Sequence, residues 1–153
     1  MNTTELVLSK LSEMSEEHKQ NSPSGCACIF IQITDKIGAK FYAYRGKRDK
    51  CIENQKIAHK HGLGPEVFGS FEVSEELAPK RGRLRYKYCY LTEVAETGGA
   101  LDDWLDANFV SFRETEKYMM DAMENIGLTF FDFHDENIGL INGELVCIDF
   151  GEE

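Results

Sequence analysis

Apolar residues near the start of the chain recur at helical spacing. They predict an α-helix over residues 3–18, with Thr3 or Thr4 as its N-cap. Two β-rich runs follow at residues 26–34 and 40–45, on either side of the turn sequence Asp-Lys-Ile-Gly. These two runs predict a β-hairpin.

Helical spacing returns at residues 49–61 and stops at a Gly-Leu-Gly-Pro sequence. Residues 67–74 and 83–94 then have the composition of strands, and in the second run every other residue from Leu84 to Tyr90 is apolar or aromatic. The first 92 residues therefore predict a small antiparallel sheet with one inserted helix.

The rest of the chain starts with two helical patterns. Residues 101–109 predict a short helix and residues 111–127 a longer one. Ser111 and Glu114 match a capping box at the start of the longer helix. A helical region thus follows the sheet.

The sequence Asn142-Gly143 lies between two short apolar runs and predicts a second hairpin. A sheet with one helix, then helices, then a hairpin indicates an α+β fold with two lobes, residues 1–92 and 93–153.

Composition and charge exclude several classes of protein. The chain is 42% hydrophobic and carries 17 basic against 27 acidic residues, a net charge of −10. Such a chain can bury a core, and its charge disfavours general binding to nucleic acid. No apolar run reaches the roughly 18 residues of a membrane span, so we expect a soluble, cytoplasmic protein without membrane partners. Five cysteines without paired spacing are expected to be reduced thiols.

The charge is divided unevenly along the chain. Residues 1–92 contain 15 basic and 11 acidic residues, a net +4, whereas residues 93–153 contain 2 basic and 16 acidic residues, a net −14. Two solvated faces of one globule would explain this division. A nucleotide phosphate held by one part and a divalent cation held by the other would explain it as well.

The residues with the clearest chemistry lie near the end of the chain. Asp132 and Asn137 are five residues apart, and Asp149 follows twelve residues later, after an apolar strand. One carboxylate can orient or deprotonate an attacking hydroxyl, while an amide oxygen and a second carboxylate hold magnesium on nucleotide phosphates. The pattern D-x-H-x-x-N followed by I-D-F-G resembles the catalytic loop and metal motif of the protein kinase-like superfamily. It is most similar to aminoglycoside and choline phosphotransferases and atypical kinases.

This resemblance implies roles for individual residues. Asp132 would be the catalytic base, Asn137 and Asp149 would bind Mg2+, and ATP would be the phosphoryl donor. Residues 88–105 resemble the hinge between kinase lobes, in which Glu93 and the backbone through Ala95 would face adenine.

The resemblance also assigns a phosphate-binding pair. Glu53 stands where the family has a helix glutamate, and its partner would be Arg45 at the end of the preceding strand. Lys40 and Lys47 are close enough to be alternatives to Arg45. The glycine-rich loop of the family is reduced to residues 22–25, with one glycine.

The resemblance covers residues 20–151 and implies a kinase-like two-lobed fold with a truncated C-terminal lobe. A truncated lobe would leave the apolar face of the long helix incompletely covered, favouring a homodimer or a partner protein. This face consists of Tyr118, Met119, Ala122, Met123 and Ile126.

We therefore expect a minimal kinase that uses ATP and Mg2+ to phosphorylate a hydroxyl of a protein substrate, in its own cytoplasm or in that of a host cell. An acidic pseudokinase module that captures or inhibits a partner protein is the alternative from another class. A third hypothesis, an acidic mimic of nucleic acid, fits the charge but gives no reason for the spacing of Asp132, Asn137 and Asp149.

Overall fold

The computed structural model describes residues 2–14, 28–128 and 137–150, which form a mixed α+β structure with antiparallel sheets. The α+β class expected from the sequence is thus confirmed. The helices of this part of the chain are α1 (Thr3–Glu13), α2 (Arg45–Lys60), α3 (Gly99–Ala107) and α4 (Phe112–Asn125). Its strands are β1 (Cys28–Gln32), β2 (Ile37–Tyr42), β3 (Val67–Glu72), β4 (Lys80–Arg81), β5 (Leu84–Arg85), β6 (Tyr88–Glu93), β7 (Ile138–Ile141) and β8 (Glu144–Cys147).

The largest sheet has the strand order β1-β2-β6-β3, and each neighbouring pair in it is antiparallel. The β1–β2 pair confirms the first predicted hairpin. One face of the sheet is apolar because Ile29, Phe41 and Cys89 lie opposite one another across β1, β2 and β6. Val7 and Leu11 of α1 belong to the same buried core.

The N-cap of α1 differs from the prediction. Asn2, rather than Thr3 or Thr4, accepts the backbone N–H of Glu5, and the Glu5 side chain accepts the backbone N–H of Asn2. This reciprocal capping box satisfies two N–H groups at once, which neither threonine does here. The helix ends at Glu13, earlier than the predicted residue 18.

The boundary between β2 and α2 also differs from the prediction. We expected a strand through Arg45, but β2 ends at Tyr42 and Arg45 is the first residue of α2. Tyr42 pairs with Tyr88, the first residue of β6, so the ladder offers no further partner beyond it. The Tyr44 carbonyl instead accepts the N–H of Arg48 and opens the helix.

The run at 83–94, predicted as one strand, is divided. Leu84 and Arg85 pair with β4, whereas β6 starts only at Tyr88. Between them the Tyr86 N–H donates to the Pro79 carbonyl, and the Tyr86 ring is buried in the core. Alternation in sequence could not reveal this change of partner, because both segments alternate.

The predicted capping box and second hairpin are confirmed. Ser111 accepts the N–H of Glu114 at the start of α4, and the Glu114 side chain accepts the N–H of Ser111. Strands β7 and β8 pair through a turn at Asn142 and Gly143, with φ of 53° and 79°. Positive φ at both positions is the reason the turn favours Asn-Gly.

The apolar face of α4 is covered in part. Met119 and Met123 are fully buried, and Tyr118 is 59% exposed. The face that was expected to be incompletely covered is thus buried at the two methionines and exposed at Tyr118. No described helix combines the length with the apolar character that crossing a bilayer requires.

The chain divides into two compact units. Unit 1 contains Met1–Lys50 and Val67–Glu93, and unit 2 contains Cys51–Glu66 and Val94–Glu153. The predicted division after residue 92 assigned all of α2 to the first part, whereas most of this helix belongs to unit 2.

Candidate functional site: the base of the β7–β8 hairpin

The register of the second hairpin brings two predicted site residues to one end of it. Ile138 pairs with Cys147, and one step further the Ile148 N–H donates to the Asn137 carbonyl over 2.9 Å. Asn137 and Asp149 therefore both lie at the open end of the hairpin, opposite its turn. We call Asn137, Ile148 and Asp149 the hairpin base.

The two polar residues of the hairpin base differ in exposure. Asn137 is 5% exposed, and Asp149 is half-buried. The Cys147 thiol donates to the Asp149 carbonyl over 3.3 Å, which holds the backbone next to the carboxylate. Phe150, the next residue, is fully buried.

Phe150 is fixed by residues of the same unit. Its carbonyl accepts the side-chain N–H of Asn54 over 3.4 Å, and its ring lies against Gly64. The carbonyl of Leu63, the residue before Gly64, accepts the N–H of Cys147 over 2.8 Å. The Gly-Leu-Gly-Pro segment, predicted only as a helix stop, thus supports the end of β8.

The chain between β6 and α3 runs beside β7. Glu96 and Leu140 exchange two backbone hydrogen bonds, each of 2.8 Å. Gly139 permits this approach, because a β-carbon on it would lie 2.9 Å from both the Ala95 β-carbon and the Glu96 carbonyl oxygen. Asn137 is two residues, or about 7 Å, before Gly139 along the chain.

The N–H and C=O of Glu96 both form hydrogen bonds with Leu140. Within the described residues, neither the N–H nor the C=O of Ala95 has a hydrogen-bond partner. The Glu93 carbonyl, at the end of β6, accepts the hydroxyl of Thr92 over 3.1 Å.

Arg45 has another partner than the one predicted. Its guanidinium forms an ion pair of 2.8 Å with Glu72 and lies 5.5 Å from the ring centroid of Tyr88. The hydrogen bond from Arg45 lowers the pKa of Glu72 below its ordinary value. Because the pair is largely exposed, solvent screens it. The role of Arg45 on nucleotide phosphates stays a prediction.

Glu53 is exposed on α2, eight residues after Arg45 in the same helix. Among the described residues it has no hydrogen-bond or ion-pair partner. The expected Arg45–Glu53 pair is replaced by Arg45–Glu72, because Arg45 begins the helix rather than ending the strand.

The sheet contains a buried cation that the sequence reasoning gave only as an alternative. Lys40 is 9% exposed in the middle of β2, and its ammonium lies 5.8 Å from the ring centroid of Tyr90. Ala39 and Phe41 on either side belong to the apolar core. In the sequence, the signal for this residue was a lysine between two apolar residues of a predicted strand, whose side chain must lie on the opposite face of the sheet from theirs.

Two predicted features lie outside the described residues. They are Asp132, the expected base, and the reduced glycine-rich loop at residues 22–25. In the part of the chain that the structure does describe, no three or more His, Cys, Asp or Glu side chains form a group suited to a metal ion. Asn137 and Asp149 remain the metal-ligand candidates of unit 2.

In comparisons with models of protein families, with curated protein sequences and with solved structures, this chain has no match.

Proposed function

We propose that the protein is a phosphotransferase that uses ATP and Mg2+, with a kinase-like arrangement of two lobes. The observation that carries this proposal is the register of the β7–β8 hairpin, with Asn137 and Asp149 at one end of it. Amide and carboxylate oxygens are the hard donors that magnesium prefers, and one or two protein ligands suffice when phosphates supply others.

The remaining parts of the reaction follow from positions along the chain. Asp132 precedes Asn137 by five residues and would orient or deprotonate the accepting hydroxyl. Magnesium held by Asn137 and Asp149 would neutralise charge on the β- and γ-phosphates during transfer. The bond from the γ-phosphorus to the bridging oxygen breaks, ADP leaves, and a phosphate ester forms on the acceptor.

The chain between β6 and α3, which we call the linker, supports a nucleotide as the ligand. Adenine presents a donor and an acceptor on one edge, and the N–H and C=O of Ala95 offer the complementary pair. Ala95 lies against Gly139, two residues after Asn137. A base bound along Ala95 and a metal bound at the hairpin base would thus use neighbouring parts of unit 2.

Unit 1 supplies the candidates for binding phosphate. Lys40 fits this role better than Arg45, because it lies within a central strand while the Arg45 guanidinium pairs with Glu72. The order β1-β2-β6-β3, with a helix inserted after β2, supports a nucleotide lobe of the kinase type. Glu53 is the acidic partner expected from the resemblance.

The acceptor in this proposal is a hydroxyl of a protein, in the cytoplasm. The test is transfer of the labelled γ-phosphate from ATP to the protein itself and to candidate proteins. Wild type and the control Asp103→Asn, an exposed acid on α3, should transfer label, and Asp132→Asn should lose about 99% of the rate or more.

Equal transfer by Asp132→Asn and wild type would contradict the proposed chemistry. Binding of ATP with magnesium but no transfer to any acceptor would favour the pseudokinase alternative, in which the site serves binding of a partner.

A further inference from the structure

A short hairpin in unit 1 concentrates positive charge. Strands β4 and β5 pair Lys80 with Arg85 and Arg81 with Leu84, and the two-residue turn between them contains Gly82 and Arg83. Gly82 has φ of 62°, the sign that the first central residue of a type II′ hairpin turn requires. We call residues 80–85 the basic hairpin.

The basic hairpin is anchored at its base by buried residues and backbone hydrogen bonds. Pro79 and Tyr86, the residues that flank it, are buried, and the Tyr86 N–H donates to the Pro79 carbonyl over 2.8 Å. The Val73 N–H donates to the Lys87 carbonyl just beyond, over 2.9 Å. Its side chains therefore project from a fixed backbone, which lowers the entropy lost on binding.

Three cations of the basic hairpin differ in their ion pairing from three other cations of unit 1. Arg45, Arg48 and Lys87 each lie within 4.0 Å of a carboxylate. By contrast, no carboxylate of the described residues pairs with Lys80, Arg81 or Arg83. Within the described part of unit 1, these three charges are therefore not neutralised by an ion pair.

Two neighbouring features would favour a protein ligand. The Arg81 guanidinium lies 5.8 Å from the ring centroid of Tyr86, which fixes its position. Leu84, opposite Arg81 in the register, is 45% exposed. The surface thus combines cations that bind carboxylates with an apolar side chain that can bury against another one.

We propose that the basic hairpin is a docking surface for a short acidic segment of a partner protein that also carries an apolar side chain. Arg81 and Arg83 bind its carboxylates, and Leu84 contacts the apolar side chain. A long polyanion such as nucleic acid is disfavoured, because the chain carries a net charge of −10 and 16 acids follow Thr92. A short acidic segment needs to contact only the hairpin.

The test uses a fluorescein-labelled, Glu-rich peptide containing one leucine, and fluorescence anisotropy with the full chain. The double variant Arg81→Glu, Arg83→Glu should bind this peptide at least about tenfold more weakly than wild type. The control Lys10→Glu, Lys36→Glu changes the net charge equally at exposed sites outside the hairpin and should bind nearly as wild type. Arg83→Gln alone, at an exposed turn position, should weaken binding without affecting the fold.

Three results would overturn the proposal. The first is unchanged affinity of the folded Arg81→Glu, Arg83→Glu and Arg83→Gln variants. The second is an equal loss in the Lys10→Glu, Lys36→Glu control, which would indicate overall charge alone. The third is tighter binding of a single-stranded RNA of the same charge than of the peptide, which would make the hairpin a nucleic-acid surface.

Discussion

The ring of Phe150 lies so close to Gly64 that a β-carbon on Gly64 would be 2.9 Å from the Cζ of Phe150. The same β-carbon would be 3.0 Å from that of Ala58. Real β-carbons essentially never approach another atom so closely, and Phe150 is fully buried. The position of Phe150, and with it the backbone next to Asp149, thus depends on a glycine at 64.

We expect Gly64→Ala to lower the free energy of unfolding by about 1–3 kcal/mol, because the ring and the segment around it must move apart. Urea unfolding would measure this loss. Gly46→Ala is the matched control: no atom lies within 4 Å of its β-carbon, and alanine is the better helix former. If Gly64→Ala were as stable as Gly46→Ala, the close packing of Phe150 against Gly64 would not contribute to the free energy of unfolding.

A second substitution concerns the linker. In Gly139→Ala the new β-carbon would collide with the Ala95 β-carbon and the Glu96 carbonyl oxygen, so the linker must shift away from β7. Because the proposed contact of adenine is with the backbone of Ala95, we expect binding of ATP with magnesium to weaken about tenfold or more. Calorimetry would measure the affinity, and far-UV circular dichroism would check the fold. Unchanged affinity in a folded variant would remove Ala95 from the proposed site.

A third substitution concerns backbone strain in the α3–α4 loop. Phe109 has φ of 57°, a region that disfavours residues with a β-carbon, and its side chain is 94% exposed. Phe109→Gly should therefore raise the free energy of unfolding by up to about 1 kcal/mol, since it relieves strain and loses little packing. Phe109→Ala keeps the β-carbon and should show no such gain. A Phe109→Gly variant that is clearly less stable than Phe109→Ala would contradict the claim that the backbone at Phe109 is strained.

A fourth prediction concerns alkaline pH. Burial raises the pKa of the Cys89 thiol far above its ordinary value of 9.0. Above about pH 9 the unfolded chain releases this proton while the folded chain keeps it, so stability present below that pH is lost as pH rises. The contribution of Cys89 has a limiting slope of about 1.4 kcal/mol per pH unit.

Urea unfolding at about pH 8 and about pH 10 would measure this fall for wild type and for Cys89→Ala. Because only the dependence on pH is compared, any cavity that the alanine creates cancels between the two conditions. Equal dependence in both proteins would show that Cys89 does not keep its proton in the folded state.

Local sequence signals predicted the elements that local contacts determine. The capping box of Ser111 and Glu114 and the turn at Asn142 and Gly143 depend only on nearby residues, and both are present. By contrast, the end of β2 at Tyr42 depends on where β6 begins, 46 residues later. No local pattern contains that information.

For the candidate site, too, the sequence predicted what depends on nearby residues and not what depends on distant ones. The turn at Asn142 and Gly143 sets the register that brings Asn137 and Asp149 to one end of the hairpin, while their role in binding magnesium stays a prediction. The choice of cation was not predictable in this way. Lys40 and Arg45 are five residues apart in the sequence, and only the pairing of β2 with its neighbours makes Lys40 a buried residue of a central strand.

The most direct test of the proposed magnesium and nucleotide site is the affinity for ATP, measured by calorimetry with and without magnesium, in wild type, Asp149→Asn and Glu144→Gln. Glu144 is exposed at the turn end of the same hairpin, so its substitution is the matched control. We predict that magnesium tightens ATP binding about tenfold or more in wild type and Glu144→Gln, and that Asp149→Asn loses this gain. The same affinity with and without magnesium in wild type, or a full magnesium effect in Asp149→Asn, would contradict the account.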